Sequence, residues 1–141
     1  MSDIEKTIDS FSKRELGAVK VLMVEDDKFI SGLVLEALSK HGCVPYSCLT
    51  GEEALALAER FSPDVIILDL MLPGLSGEEV LVTLQSTEST KAIPVVVFSN
   101  KSAETDIRNA LTCGAKKYLV KASTDMSTIV DVIHEVTKKS E

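Results

Sequence analysis

Residues 64–74, Asp-Val-Ile-Ile-Leu-Asp-Leu-Met-Leu-Pro-Gly, carry the strongest indication of the fold. Within them, Val65–Leu70 is apolar except for Asp69. A strand with one face in water would alternate polar and apolar residues, so this run predicts a strand that is covered on both faces. The Pro73-Gly74 pair that follows predicts a turn. The centre of the predicted fold is therefore a buried strand with an acidic residue near its carboxyl end.

On both sides of this strand, the pattern of an apolar run followed by a stripe of apolar residues at helical spacing recurs. The runs predict five strands: Val19–Val24, Cys43–Leu49, Val65–Leu70, Ile93–Phe98 and Tyr118–Val120. The stripes predict a helix after each strand, within Ile30–Leu38, Ala54–Phe61, Gly77–Leu84, Ser102–Cys113 and Met126–Ile133. Parallel strands need crossover connections, so the alternation predicts a doubly wound α/β fold with helices on both faces of a parallel sheet.

The overall composition limits the classes of function. The chain has 141 residues, a length typical of one domain, and its formal net charge is −7. Binding to a phosphate backbone requires a basic surface, so we expect no direct nucleic-acid ligand. No apolar run approaches the roughly 18 residues of a membrane span, and Met1–Leu16 lacks the basic start and apolar centre of a signal peptide. We therefore expect no membrane association and a cytoplasmic location.

The three cysteines, Cys43, Cys48 and Cys113, are an odd number without C-x-x-C spacing. This pattern favours neither a disulfide framework nor a zinc site. We expect all three to be buried small hydrophobic residues in a reducing compartment.

Residues 1–18 precede the first strand and are predicted to be an extension of a domain that covers residues 19–139. Their pattern allows a short helix with Ile4, Ile8 and Phe11 on one face. Two interpretations stay open: a loosely docked terminus, or an arm that docks onto a partner or a second copy.

Polar or charged residues follow the ends of four of the five predicted strands. In an open parallel sheet, ligands bind beyond the carboxyl ends of the strands. The residues at this edge are Glu25, Asp26 and Asp27 after the first strand, Asp69 in the third, Ser99 after the fourth and Lys121 after the fifth. The second strand ends near Thr50 without such a group, as expected of an edge strand. Asp27 fits a cap of the first helix better than a ligand.

Three carboxylates at this edge, those of Glu25, Asp26 and Asp69, would repel one another and raise at least one pKa. A divalent cation removes the repulsion, and a set of oxygen ligands suits Mg²⁺. Lys121 and the hydroxyl of Ser99 could then hold the remaining oxygens of a phosphoryl group. Because a carboxylate beside a metal can act as a nucleophile, Asp69 is the candidate for forming an acyl phosphate.

Four segments together resemble the receiver domain of two-component response regulators. They are Val-Leu-Met-Val-Glu-Asp-Asp (21–27), Asp-Val-Ile-Ile-Leu-Asp-Leu-Met-Leu-Pro-Gly (64–74), Pro-Val-Val-Val-Phe-Ser (94–99) and Gly-Ala-Lys-Lys-Tyr-Leu-Val-Lys (114–121). The resemblance covers about residues 19–138, and it implies a flavodoxin-like sheet of five strands in the order 2-1-3-4-5.

The resemblance also implies roles at the site. Asp69 corresponds to the phosphoacceptor, which a histidine kinase or a histidine phosphotransfer protein modifies. Glu25 and Asp26 correspond to the acidic pair that holds Mg²⁺ together with Asp69, and the backbone carbonyl of Met71 corresponds to a further metal ligand.

Three other residues correspond to the switch. Ser99 matches the hydroxyl that moves toward the phosphoryl group. Lys121 matches the residue that forms an ion pair with the phosphoryl group, and Tyr118 matches the aromatic residue whose burial changes. The face formed by the fourth helix, the fifth strand and the fifth helix would then change its arrangement.

The sequence departs from the family pattern in two places. Ala122 stands where the family usually has a proline after the lysine, so we predict a trans Lys121–Ala122 bond, because a non-proline cis bond costs about 2.5–4 kcal/mol. Asn100 stands where the family favours a very small residue. We expect Asn100, with Lys101 beyond it, to restrict water access to the phosphoryl group.

Several functions remain open at this point. A receiver could bind a downstream protein or pass its phosphoryl group onward in a relay, as a monomer or weak dimer, and a degenerate receiver would only bind partners. An enzyme of the haloacid-dehalogenase type also uses an aspartate and Mg²⁺, but it needs an acid two residues beyond the nucleophile, where this chain has Met71. A nucleotide-binding fold is disfavoured because no G-x-G-x-x-G follows the first strand.

Overall fold

The computed structural model describes residues 19–138, and the predicted extension at 1–18 lies outside the described residues. The strands are β1 Lys20–Val24, β2 Val44–Cys48, β3 Val65–Leu68, β4 Val95–Ser99 and β5 Lys117–Val120. The α-helices are α1 Lys28–Lys40, α2 Gly51–Phe61, α3 Gly77–Ser86, α4 Glu104–Thr112 and α5 Met126–Thr137. A short 3₁₀ turn, Lys121–Ser123, follows β5. Within this part of the chain, no helix is long and apolar enough to span a bilayer.

The strands form one parallel sheet in the order β2-β1-β3-β4-β5, which confirms the predicted topology. In the register of the sheet, Val24 lies opposite Leu68, so the residues after β1 and β3 emerge side by side. The Asp69 N–H donates to the carbonyl of Val24 over 3.1 Å and continues this pairing past the end of β3.

The core has two layers because successive side chains of a strand point to opposite faces of the sheet. Ile66 and Leu68 face a layer built from α2, α3 and α4, whereas Val65 and Ile67 face a layer built from α1 and α5. All four side chains of β3 are inaccessible to solvent. The apolar run of the sequence is thus covered on both faces, as predicted.

Side-chain caps start most of the helices. Asp27 Oδ1 accepts the N–H groups of Phe29 and Ile30 at 2.9 and 3.2 Å, which confirms its interpretation as a helix cap. Helix α4 differs in two respects among the described residues. Its N-cap residue, Ala103, makes no side-chain capping hydrogen bond, and Ala110 is its one buried residue. Helix α4 is therefore the most weakly anchored helix of the described fold.

The prediction for the cysteines is only partly right. Cys43 and Cys48 are buried, and burial raises the pKa of their thiols to about 11 and about 12. Cys113 is exposed, contrary to the prediction, because it lies at the C-terminal cap of α4, beyond the single residue that this helix buries. The Lys121–Ala122 bond is trans as predicted, since no cis bond occurs within residues 19–138.

Candidate functional site

Three carboxylates gather where β1 and β3 end. Glu25, Asp26 and Asp69 each offer an oxygen within 4.8 Å of the others, the one such acidic group in the described part of the chain. Glu25 and Asp69 are buried, whereas Asp26 is exposed. The register that aligns the ends of β1 and β3 brings these acids together, and the exposed member leaves the cluster accessible from solvent.

Lys121 brings a positive charge to this cluster from the 3₁₀ turn after β5. Its Nζ lies 2.9 Å from Asp69 Oδ2 and also forms an ion pair with Glu25 Oε1. The side chain is 11% exposed, and the ammonium group lies 5.8 Å from the centre of the Phe98 ring. One ammonium group thus spans two buried carboxylates.

The environment changes the pKa of both Glu25 and Lys121. Burial raises the pKa of Glu25, and the neighbouring charge of Asp69 raises it further, against hydrogen bonds from Lys121 and from the Asp27 amide. Burial lowers the pKa of Lys121, but its hydrogen bonds to Glu25 and Asp69 outweigh this effect, so its pKa is raised. Lys121 therefore stays protonated, and the raised pKa of Glu25 comes mainly from burial, with a smaller contribution from the charge of Asp69 that the sequence led us to expect.

The loop after β3 holds Asp69 through its backbone. The Met71 N–H donates to Asp69 Oδ1 over 3.0 Å, while the Met71 side chain is 55% exposed. At the start of α3, the Gly77 N–H donates to the carbonyl of Leu70 over 3.0 Å. A Cβ atom on Gly77 would lie 2.3 Å from Leu70 Cα and 2.4 Å from the Asp69 carbonyl oxygen. Gly77 thus lets α3 begin directly against the backbone of Asp69.

Ser99 and Tyr118 meet at a different residue, Lys101. Ser99 is fully buried at the end of β4, and its Oγ accepts the Lys101 N–H over 3.3 Å. The Tyr118 hydroxyl, on the adjacent strand β5, donates to the Lys101 carbonyl over 2.6 Å. Burial of the ring raises the pKa of Tyr118.

The structure places the predicted residues in two neighbouring groups. Glu25, Asp26, Asp69 and Lys121 form the acidic cluster with its counter-ion, and Met71 contacts it through its backbone N–H. Ser99 at the end of β4, the strand next to β3, is linked through Lys101 to Tyr118 on β5, the strand beyond it.

Among the contacts at the site that were not predicted, two involve residues that the sequence analysis did not assign to the site. The first is the close approach at Gly77, and the second is an ion pair between Lys101 and Glu78. The glycine at the start of the third predicted helix was the one sequence signal for the first contact. Nothing in the sequence indicates the second, since its partners are 23 residues apart on different elements.

Comparison with known protein families agrees with this geometry. The family model of the response regulator receiver domain matches residues 21–134, most of the chain. This chain belongs to that family. Receiver domains are signalling proteins that interact with histidine kinases or phosphotransfer proteins, so the dehalogenase-type alternative is set aside.

Curated relatives include both short and longer proteins. The chain is 32% identical over 117 residues to Protein PilH of Pseudomonas aeruginosa, and this alignment covers 83% of this chain and 96% of PilH. It is 36% identical over 103 residues to the phosphate regulon transcriptional regulatory protein PhoB of Rhizobium meliloti. This alignment covers 72% of this chain but 45% of PhoB. The chain thus spans nearly all of PilH but less than half of PhoB.

Solved structures show the same fold. The phosphorylated cyanobacterial phytochrome response regulator RcpA superposes with a TM-score of 0.73 at 31% identity, over 85% of this chain and 91% of RcpA. The chemotaxis response regulator CheY4 of Vibrio cholerae superposes with a TM-score of 0.78 at 27% identity, over 84% of this chain and 98% of CheY4.

Proposed function

We propose that this receiver accepts a phosphoryl group on Asp69 from a phosphohistidine of a kinase or phosphotransfer protein, with the help of Mg²⁺. The observation that carries the proposal is the contact set around Asp69. Its buried carboxylate lies in an acidic cluster with Glu25 and Asp26 and 2.9 Å from the ammonium group of Lys121. A group that accepts a phosphoryl dianion needs such positive charge at hand.

The acidic cluster fits Mg²⁺ by its donor chemistry. Three carboxylates with oxygens within 4.8 Å of one another are hard ligands that repel each other without a cation. We assign Glu25, Asp26 and Asp69 to the ion, and we include the carbonyl of Met71 as expected from the family. When bound, Mg²⁺ would offset the negative charge of the phosphoryl oxygens.

The proposed transfer is a displacement at phosphorus. A carboxylate oxygen of Asp69 forms the new P–O bond, the P–N bond of the phosphohistidine breaks, and the imidazole leaves with the bonding pair and takes a proton from solvent. Lys121 already contacts two carboxylates, so its ammonium group can turn toward the new phosphoryl oxygens without crossing the site. The Ser99 hydroxyl serves as the second donor.

The output of the switch is proposed to be the face formed by α4, β5 and α5. A new dianion on Asp69 would attract Ser99 and Lys121, and the segments after β4 and β5 would move with them. Helix α4 is weakly anchored, so it can rearrange at low cost. This face would bind a downstream protein, or the chain would pass its phosphoryl group onward. We place the domain at residues 19–139, with 1–18 as an extension.

Intact mass tests the acceptor role. Wild-type protein incubated with acetyl phosphate and Mg²⁺ is expected to gain about 80 Da, one phosphoryl group. Asp69→Asn is expected to show no gain because it lacks the nucleophilic carboxylate, and wild type without Mg²⁺ a much smaller one. Asp131→Asn, which changes an exposed acid on α5, is the matched control and should behave as wild type. A folded wild type that neither gains mass nor binds beryllofluoride would overturn the proposal and favour a degenerate receiver.

The lifetime of the phosphoryl group should depend on Asn100. Its exposed side chain follows the buried Ser99, where it can restrict the approach of water to Asp69. Asn100→Ala is expected to speed loss of the phosphoryl group by a factor of about 2–5, equivalent to at most about 1 kcal/mol in the barrier. Decay of the mass adduct after removal of acetyl phosphate measures this rate. An unchanged rate would count against a role for Asn100.

A further inference from the structure

An open groove with a volume of about 330 Å³ lies between α1 and α5. It is separate from the acidic cluster, since none of the residues that line it belongs to the proposed phosphorylation site. Most of the lining comes from α1 and its C-terminal cap, and one residue comes from the start of α5. The lining residues are Leu33, Glu36, Ala37, Lys40, His41 and Met126.

The α1–α5 groove combines an apolar part with a charged part. The apolar part consists of Leu33, which is 41% exposed, together with Ala37 and Met126. The charged part is an ion pair in which Lys40 Nζ lies 3.2 Å from Glu36 Oε1, with both side chains more than half exposed. From Leu33 to Lys40 the groove follows about 10 Å of helix. A groove of this kind suits the apolar face of an amphipathic helix of about two turns.

The described chain begins close to one end of this groove. The carbonyl of Val19 accepts the N–H of Val44 over 2.8 Å, and Val19 packs against the core layer of α1 and α5. His41, which lines the groove, is three residues before Val44, so at most about 11 Å of chain separates them. Residues 1–18 therefore join the domain near the His41 end of the groove.

Residues 1–18 lie outside the described residues, but their sequence matches the groove in length and in character. Ile4, Ile8 and Phe11 recur at helical spacing and would occupy one face of a short helix. From Ile4 to Phe11 this face measures about 10 Å, the same as the groove. Gly17 has the conformational freedom to turn the chain back along α1 before β1 begins.

We propose that residues 1–18 fold back onto their own domain and dock Ile4, Ile8 and Phe11 in the α1–α5 groove. The seven residues 12–18 that connect this face to β1 reach up to about 24 Å, which is ample for the distance involved. A short connection of this kind gives an effective concentration in the millimolar range. Three apolar side chains then suffice for docking within one chain, whereas a separate chain has no such advantage. The proposal does not depend on phosphorylation of Asp69.

Chymotrypsin cleavage after Phe11 tests the docking, because the protease must take the Phe11 side chain into its own pocket and so cleaves only the undocked form. Leu33→Glu changes the groove and leaves the extension intact. We expect this variant to lose residues 1–11 faster than wild type by a factor of about 3–10, as followed by intact mass. Val82→Glu is the matched control, since Val82 is 50% exposed on α3, outside the groove, and it should be cleaved at the wild-type rate. Equal rates for Leu33→Glu and wild type would leave the groove to another protein and overturn the proposal.

A second pair of variants changes the extension instead of the groove. Ile8→Asp is expected to speed cleavage as Leu33→Glu does, whereas Ser10→Asp, about 200° away around the predicted helix, leaves it unchanged. The variant that combines Ile8→Asp with Leu33→Glu should fall short of the product of the two single effects, because both act on one contact. Equal cleavage of Ile8→Asp and Ser10→Asp, or a combined effect equal to that product, would overturn the docking.

The dependence of cleavage on protein concentration identifies which chain supplies the extension. Docking within one chain does not depend on concentration, so the rate constant for wild type should be the same at about 1 and about 100 μM protein. Slower cleavage at the higher concentration would assign the groove to the extension of a second copy and overturn docking within the chain.

Discussion

Replacing Lys121 with methionine is expected to lower the free energy of unfolding by about 3 kcal/mol at pH 7 without Mg²⁺. Removing one partner of a buried ion pair leaves the other charge without compensation, and here a single ammonium group compensates two carboxylates, those of Glu25 and Asp69. Methionine keeps a long apolar side chain and removes the ammonium group that lies 5.8 Å from the centre of the Phe98 ring, so the change isolates the charge.

The loss in free energy of unfolding caused by Lys121→Met should depend on pH. The pKa of Glu25 is raised by burial in the folded chain, and the hydrogen bond from Lys121 opposes that rise. A carboxyl group with a raised pKa binds its proton more tightly when folded, so its unfavourable contribution is absent below the unfolded pKa and grows as the pH rises to the folded pKa. Without Lys121 the pKa of Glu25 rises further. The variant should therefore recover stability relative to wild type as the pH is lowered from 7 toward the usual carboxyl range.

Urea unfolding with and without Mg²⁺ measures both effects. Lys117→Met, on β5 with a largely exposed partner in Glu135, is the matched control and should lose no more than about 1 kcal/mol. If Mg²⁺ binds the cluster as proposed, a concentration of about 100 Kd should restore about 2.7 kcal/mol to Lys121→Met. Equal stability of Lys121→Met and Lys117→Met at pH 7 would contradict the assignment of Lys121 as the counter-ion of the cluster.

Replacing Gly77 with alanine is expected to destabilise the chain by about 3 kcal/mol, the effect of forcing extra volume into a packed site. Alanine is normally the better helix former. Here its Cβ would come within 2.3 Å of Leu70 Cα and 2.4 Å of the Asp69 carbonyl oxygen. Both are backbone atoms, so the clash is relieved only by moving α3 or the loop that holds Asp69. We therefore expect a weaker phosphorylation of Asp69 as well as the loss of stability.

Gly32→Ala is the matched control for this prediction. Gly32 lies in α1, where an added Cβ would meet nothing within 4 Å. Its replacement is expected to stabilise the chain by about 0.5–1 kcal/mol through helix propensity alone. Urea midpoints of the two variants should move in opposite directions. If both variants became more stable, α3 would not pack against Asp69 as described.

The predicted and observed elements differ mainly at their ends. The apolar run predicted a strand to Leu70, whereas β3 ends at Leu68. Leu70 stays buried because it packs in the layer beneath α3, which apolar character alone does not distinguish from a place in the sheet. The prediction that Cys113 is buried was wrong for a related reason. Cys113 is exposed because α4 packs weakly, and this packing is a property of the assembled layers.

The sequence by itself determined the architecture and the edge of the sheet at which the acids meet. Strand and helix periodicities are local properties of the sequence. All strands of a parallel sheet run in the same direction, so their carboxyl ends lie at the same edge. The tertiary structure alone decided that Lys121 bridges Glu25 and Asp69, that α3 begins against the backbone of Asp69, and that Glu78 binds Lys101. These contacts join residues far apart in the chain, so they depend on how helices and turns pack on the sheet and leave no periodic pattern in the sequence.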